Sequence, residues 1–182
     1  MNQRTTPPAL MPSKWAKCAL DEQQQSALAS AITIASERTF EQDPRFGICV
    51  LTEVAQRALS PAVNDPGTAI DIITRHTRVL APWKDLDSYT DEGVHCPQVR
   101  IHPLNIDDLL ADEFFPIARD AGETLEVHIR LHKALHALAA QESVELRAAA
   151  IRCAQTCYLF AEQNLQLEQH KEMVKRLMLQ PD

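Results

Sequence analysis

The sequence predicts an all-α fold, a bundle of about six helices with a long irregular crossover near residues 81–103 and at most one very short strand pair. Three observations lead there. Only 4 of 182 residues are Gly, about a third of ordinary usage, while Ala, a strong helix former, is abundant. Apolar residues recur at steps of three and four along most of the chain. Asp-Pro occurs twice, at 43–44 and 65–66, each time just before such a pattern. An Asp side chain can accept from the free N–H groups of a first helical turn, and Pro suits the first helical position.

Residues 1–14, with Pro7, Pro8 and Pro12, read as a disordered lead, and 15–170 as a single helical domain. The first helix should begin near Leu20, carry Leu28, Ala31, Ile32 and Ala35 on one face, and reach Phe40. The second runs from Pro44 to Leu59. It is apolar over most of its circumference, with Thr52, Glu53, Gln56 and Arg57 as a narrow polar strip, which predicts a central place in the bundle. Ser60-Pro61 should end it, because the residue before proline disfavours helical geometry. The third starts at Pro66, turns Ala69, Ile70, Ile73 and Leu80 to one side, and should pack antiparallel to the second across the short loop.

Pro82, Gly93, Pro97 and Pro103 mark the crossover, within which Val99-Arg100-Ile101 alternates like a short strand. A fourth helix should start at Asn105 and break or kink at Pro116, and a fifth should span about Glu123 to Ala140. The sixth should begin at Ser143 with an apolar stripe through Val144, Ala148, Ile151, Tyr158 and Leu165. Residues 171–182 are expected to be a flexible or partner-packed helical tail whose Met173, Leu177 and Met178 offer an apolar face to a second copy, so a homo-oligomer is expected.

Composition narrows the function classes. A net charge of −7 and the lack of any basic run argue against nucleic acid, and 5% aromatic residues leave few platforms for stacked bases. Cysteines at 18, 49, 96, 153 and 157 are odd in number and fit no disulfide framework. With no secretory core at the N-terminus, this predicts reduced thiols and a cytoplasmic setting. No apolar run approaches the ~18 residues that a membrane span needs. Gly-rich phosphate loops, nucleophile elbows and Ser/His/Asp arrangements are missing, so the sequence specifies no cofactor and an enzyme is the less expected class.

Two constellations remain as candidate sites. Glu37, Arg38, Asp43, Arg57, Ser60, Asn64, Asp65, Thr68, Asp71 and Arg75 form the densest polar group, gathered if the first three helices pack together. On a purely structural reading, Asp43 and Asp65 cap helices, Asp71 pairs with Arg75, and the other arginines serve loop carbonyls. The functional reading is a small polar pocket at a helix N-terminus that takes an anion or, through Asn64, Asp65 and Asp71, a divalent cation. Asp65 opposes the anion and the arginines oppose the cation. His128, His132 and His136 recur at four-residue steps, which can place two imidazoles on one metal, with His95, Cys96 or His102 as further ligands. The alternative is a row of partly exposed residues beside Val127, Leu131, Leu135 and Leu138. Cys153 and Cys157 have the wrong spacing for a Cys-x-x-Cys motif and read as packing.

From Glu37 to Ile73 the chain reads Glu-Arg-Thr-Phe-Glu-Gln-Asp-Pro-Arg-Phe-Gly-Ile and then Arg-Ala-Leu-Ser-Pro-Ala-Val-Asn-Asp-Pro-Gly-Thr-Ala-Ile-Asp. This segment, with Glu126-Val127-His128-Ile129-Arg130-Leu131 further on, resembles an uncharacterised bacterial family of predicted membrane proteins, domain-of-unknown-function family 2254. The resemblance implies several transmembrane helices before this region and a soluble C-terminal part that covers most of this chain. It implies no activity. The membrane region is absent here, so the expectation is either a truncated soluble portion or a member that lost its membrane helices, on the cytoplasmic face of the inner membrane where one is attached. The expected function is therefore an interaction or regulatory domain that senses or oligomerises. The alternatives are a small-ligand or enzymatic site at the polar cluster and a metal site on the histidine face.

Overall fold

Side chains that bind the free N–H groups of a first turn fix where most of the helices begin. In a computed structural model that describes residues 21–31, 40, 43–85 and 103–178, these caps stand at four of the positions that the sequence marks. Asp43 accepts from Phe46 N–H at 3.0 Å and starts α2, Pro44–Leu59. Asp65 accepts from Thr68 N–H at 3.1 Å and starts α3, Pro66–Leu80. Asn105 accepts from Asp107 and Asp108 N–H and starts α4, Ile106–Asp120. Ser143 accepts from Leu146 N–H at 2.9 Å and starts α6, Val144–Asn164. Between the last two lies α5, Leu125–Ala139, and α7 is Glu168–Arg176.

The first helix, α1, is Glu22–Ala31, opened by a reciprocal pair: Gln24 N–H donates to Asp21, and Asp21 N–H to the Gln24 side chain. It belongs to a separate compact unit, Met1–Gln42. The expected continuation toward Phe40 falls on 32–39, outside the described residues. So does the alternating Val99–Ile101 segment. Seven helices and no strand occur among the described residues, so the fold is all-α. None of the described helices is long and apolar enough to cross a membrane.

Residues from Asp43 onward form the second unit. Here five helices close a ring in the order α2, α3, α5, α6, α4, each packed on two neighbours, and α7 lies on α5 and α6. The core fills the ring with Ile73, Leu110, Phe114, Ile117, Leu131 and Leu135, all essentially inaccessible to solvent. Two tight turns let the chain change direction. Asn64 takes a left-handed conformation (φ 48°), which Asn tolerates better than most residues. Gly122 does the same (φ 52°) between α4 and α5. A Cβ on Gly67 would stand 3.3 Å from Asp65 Oδ1, so glycine there lets the capping carboxylate close onto α3.

Several expectations need correction. The second helix does not sit in the centre: it buries one face, Ile48, Thr52, Ala55 and Ala58, and leaves Val54 45% exposed. Thr52, assigned to the polar strip, is inside because it falls in phase with Ile48 and Ala55, and its hydroxyl donates to Ile48 O at 3.1 Å. The fourth helix does not break at Pro116. Proline removes one helical hydrogen bond, to the Asp112 carbonyl, and that residue lies in a groove open to solvent. On α6 the expected stripe is out of phase except at Leu165, which is buried. The buried residues are Leu146, Ala149, Ala150, Cys153, Ala154, Cys157 and Ala161, while Val144 is 68% exposed. Small side chains win this face because α4 and α5 both pack against it, and bulky Ile151 and Tyr158 are left at its margins. In the tail, Val174 is fully buried against Ala161 and Leu165, Leu177 and Met178 are half-buried, and Met173 is exposed.

Candidate functional site

The polar constellation is spread out rather than gathered. Asp43 and Ser60 flank the 16 residues of α2, a rise of about 24 Å, so they stand at opposite ends of the unit. Arg38 and Glu37 lie outside the described residues. Ser60, Asn64, Asp65 and Thr68 do meet in the α2–α3 turn. Their groups are turned on one another: Ser60 Oγ donates to Arg57 O at 2.7 Å, and Thr68 Oγ1 donates to Asp65 Oδ2 at 2.5 Å. The Thr68 hydroxyl, and then its N–H, hold the Asp65 carboxyl below its ordinary range. That carboxylate occupies the donors an incoming anion would need. Asp71 and Arg75 form an exposed i,i+4 pair at 2.7 Å further along α3. This arrangement caps and steadies a turn.

The histidine row also differs from its expected form. His128 and His132 are inside the ring, at 0% and 1% exposure, and His136 is exposed. The α5 face that meets α3 and α6 is wider than the Val127–Leu138 stripe, so the two imidazoles fall within it. His128 Nε2 donates to Gly122 O at 2.9 Å and steadies the α4–α5 turn. His136 Nε2 donates to Leu177 O at 2.7 Å and ties the end of α7 to α5. Among the described residues, neither ring nitrogen of His132 finds a partner. Burial pushes His132 down to about 4, helped by its histidine neighbours, and lowers His128 as well. Among the described residues no three His, Cys, Asp or Glu side chains converge in a way that could hold a metal ion.

Two further ionisable groups sit in the ring that the sequence reading did not single out. His76 on α3 is 0% exposed, in edge contact with Phe114 at 6.2 Å, and burial pushes it down to about 4. Glu113 on α4 is 0% exposed, neither of its oxygens is hydrogen-bonded among the described residues, and burial, reinforced by Asp112, pushes it up to about 8. Near neutrality both are uncharged. A signal existed: His76 lies three residues after Ile73, and Glu113 four after Leu109 and four before Ile117, in phase with buried positions. Facing α4 from α6, Cys153 donates to Leu110 O, lies 4.0 Å from Cys157 Sγ, and has its thiol pKa pushed up by burial. Such thiols pack and do not attack.

Two grooves open on the surface of this unit. One, of about 590 Å³, lies between the starts of α4 and α6 and is lined by Trp83, Leu104, Asp107, Val144 and Arg152. Its helix ends are already served, α6 by Asp85 and α4 by Asn105, and Arg152 forks onto Asp107 at 2.8 and 2.9 Å. The other, of about 460 Å³, runs between α2 and α4 past Cys49, Glu53, Gln56, Asp112, Phe115 and Pro116, with Phe160 of α6.

Comparison with known proteins agrees with the motif-level resemblance. A family model described as "Predicted membrane protein (DUF2254)" matches residues 8–137. Uncharacterised proteins of Mycobacterium bovis and of two Mycobacterium tuberculosis strains are each 52% identical over 42 residues. That match covers 23% of this chain and 8% of the length of each relative. No solved structure matches the chain. The chain belongs to this uncharacterised family of predicted membrane proteins, DUF2254.

Proposed function

We propose that the chain is an interaction and regulatory domain of its membrane-protein family, working on the cytoplasmic side by assembling with further copies of itself. The observation that carries this reading is the apolar exposure on the last two helices. Leu159 on α6 is 61% exposed, Leu167 between the helices 56%, and Met173 on α7 47%. Exposed apolar side chains on adjoining elements are a recurrent feature of surfaces that meet another protein. The cytoplasmic placement is supported by the cysteine pattern, five residues at spacings that fit no disulfide framework. The net charge of −7 favours a protein partner over nucleic acid.

Native mass spectrometry of the untagged chain, beside Leu159→Glu and Met173→Glu, tests the reading. The expected result is a symmetric oligomer that both variants convert to monomer without loss of helical signal. A chain that is monomeric at every accessible concentration removes the assembly reading.

A further inference from the structure

The longest helix, α6, buries Cys153 and Cys157 and presents a second stripe on its opposite side. Val144, Ala148, Arg152, Gln155 and Leu159 follow one another at steps of four, four, three and four, so they share one face. Its two ends differ. At the start, Val144, Ala148 and Arg152 form a wall of the groove of about 590 Å³, which Trp83, Lys84 and Leu104 complete, and the groove is open among the described residues. At the other end Leu159 is 61% exposed, between exposed Gln155 and Glu162. One helix therefore carries an apolar hollow and a projecting leucine four turns apart, a rise of about 22 Å.

We infer that two copies of the chain pair through this face, α6 against α6 in antiparallel orientation, with Leu159 of each copy seated in the groove of the other. The inference rests on the assembly reading and names the surface and the symmetry of that assembly. A two-fold contact must be self-complementary, because every contact is returned by the second copy. An axis between residues 151 and 152 meets that condition: Val144 opposes the second copy's Leu159, and small Ala148 opposes its longer Gln155. At the axis the two Arg152 lie side by side, each already neutralised by its own Asp107 at 2.8 and 2.9 Å. Charge agrees with the same register. Glu162, one turn beyond Leu159, arrives at the end of the groove that holds Lys84, and both side chains are exposed. In a parallel pair Leu159 would meet Leu159, and both grooves would stay open. The antiparallel pair uses the hollow and the leucine of both copies, so assembly stops at a dimer.

Sedimentation equilibrium at low salt on the untagged chain, on Lys84→Glu, on Glu162→Lys and on an equimolar mixture of the two variants tests the pairing. Both substitutions fall on exposed side chains, and circular dichroism checks that the helices persist. The unaltered chain should be a dimer. Each variant alone sets like charges together at both contacts and should raise the dissociation constant at least about fivefold. The mixture restores an opposite pair at both contacts of a mixed dimer, so its dissociation constant should return to within about twofold of the original. An oligomer that neither variant weakens, a mixture that stays dissociated, or an assembly larger than a dimer overturns this pairing and leaves the assembly reading standing. A chain that is monomeric at every accessible concentration overturns both.

Discussion

Asp85 and Ser143, 58 residues apart, jointly hold the start of α6: the Ser143 hydroxyl donates to Asp85 Oδ1 and its oxygen accepts from Leu146 N–H at 2.9 Å. Asp85 also accepts from Val144 N–H at 2.9 Å and Glu145 N–H at 3.2 Å. One carboxylate and one hydroxyl thereby serve three of the free N–H groups of that first turn and tie the segment after α3 to a distant helix.

Ser143→Ala is therefore expected to lower stability by about 1 kcal/mol in urea denaturation, the usual cost of losing such a cap. Asp85→Asn keeps the shape and removes the charge. The Ser143 hydroxyl, followed by the two N–H groups, holds the Asp85 carboxyl below its ordinary range, so its contribution is present above the unfolded value and fades as pH falls through the folded one. The variant should lose the corresponding part of the acid dependence, and an unchanged acid limb would show that the carboxylate contributes nothing there.

Glu113 gives a dependence of opposite sign. Its folded pKa of about 8 lies above the 4.5 of the free side chain, so the folded protein keeps a proton that the unfolded chain releases. The contribution of this proton is fully present below pH 4.5 and is lost as pH rises toward 8, by on the order of 3 kcal/mol between pH 5 and pH 7.5. Glu113→Met, similar in length and uncharged, should flatten this limb and raise the urea midpoint more at pH 7.5 than at pH 5.

His76 and His132 act on the acid side. Each is held neutral in the ring at about 4 against 6.5 when free, so the unfolded chain takes up protons first as pH falls. Their contribution is intact above pH 6.5 and is lost between there and pH 4, by on the order of 3 kcal/mol for each residue. Replacing His132 by Leu should move the acid unfolding midpoint downward. A midpoint that stays in place would mean that the ring admits the protonated imidazole.

The caps were legible in the residues because capping is local chemistry: Asp43-Pro44, Asp65-Pro66, Asn105 and Ser143 each meet their N–H partners within three positions. Membership of the family was legible for a similar reason, in an uninterrupted stretch of residues. The phase of α6 was not, because which of two apolar faces is buried depends on which helices arrive, and α4 and α5 arrive on the side of Ala and Cys. Residue type misled at Glu113, His76 and His128, where a polar side chain in core phase was assigned to solvent or passed over. The polar group is divided by length, because a 16-residue helix separates Asp43 from the turn that holds Asp65.

Arg130 and Thr74 supply a test of coupling between α3 and α5. Arg130 Nη2 donates to Thr74 Oγ1 at 2.7 Å, while its buried Nε has no partner among the described residues. Thr74→Val should cost about 1–3 kcal/mol by leaving the guanidinium unserved, and Arg130→Leu in the Thr74→Val background should recover part of it. A double-mutant cycle in urea reads the difference directly; strict additivity would remove the coupling.

The ring order sets when this unit can be completed. Arg45 reaches Asp112 across 67 positions and Gln56 reaches Asp120 across 64, so α2 finds one of its two neighbours only after much of the chain exists. The α6 helix then closes the circle by joining α4 to α5. During synthesis, α2 and α3 must wait as a two-helix hairpin with Ile48, Ile73 and His76 uncovered until α4 and α5 have left the ribosome. Folding should accordingly be slower than for a bundle whose successive helices are neighbours, and sensitive to chaperones that hold a half-made chain.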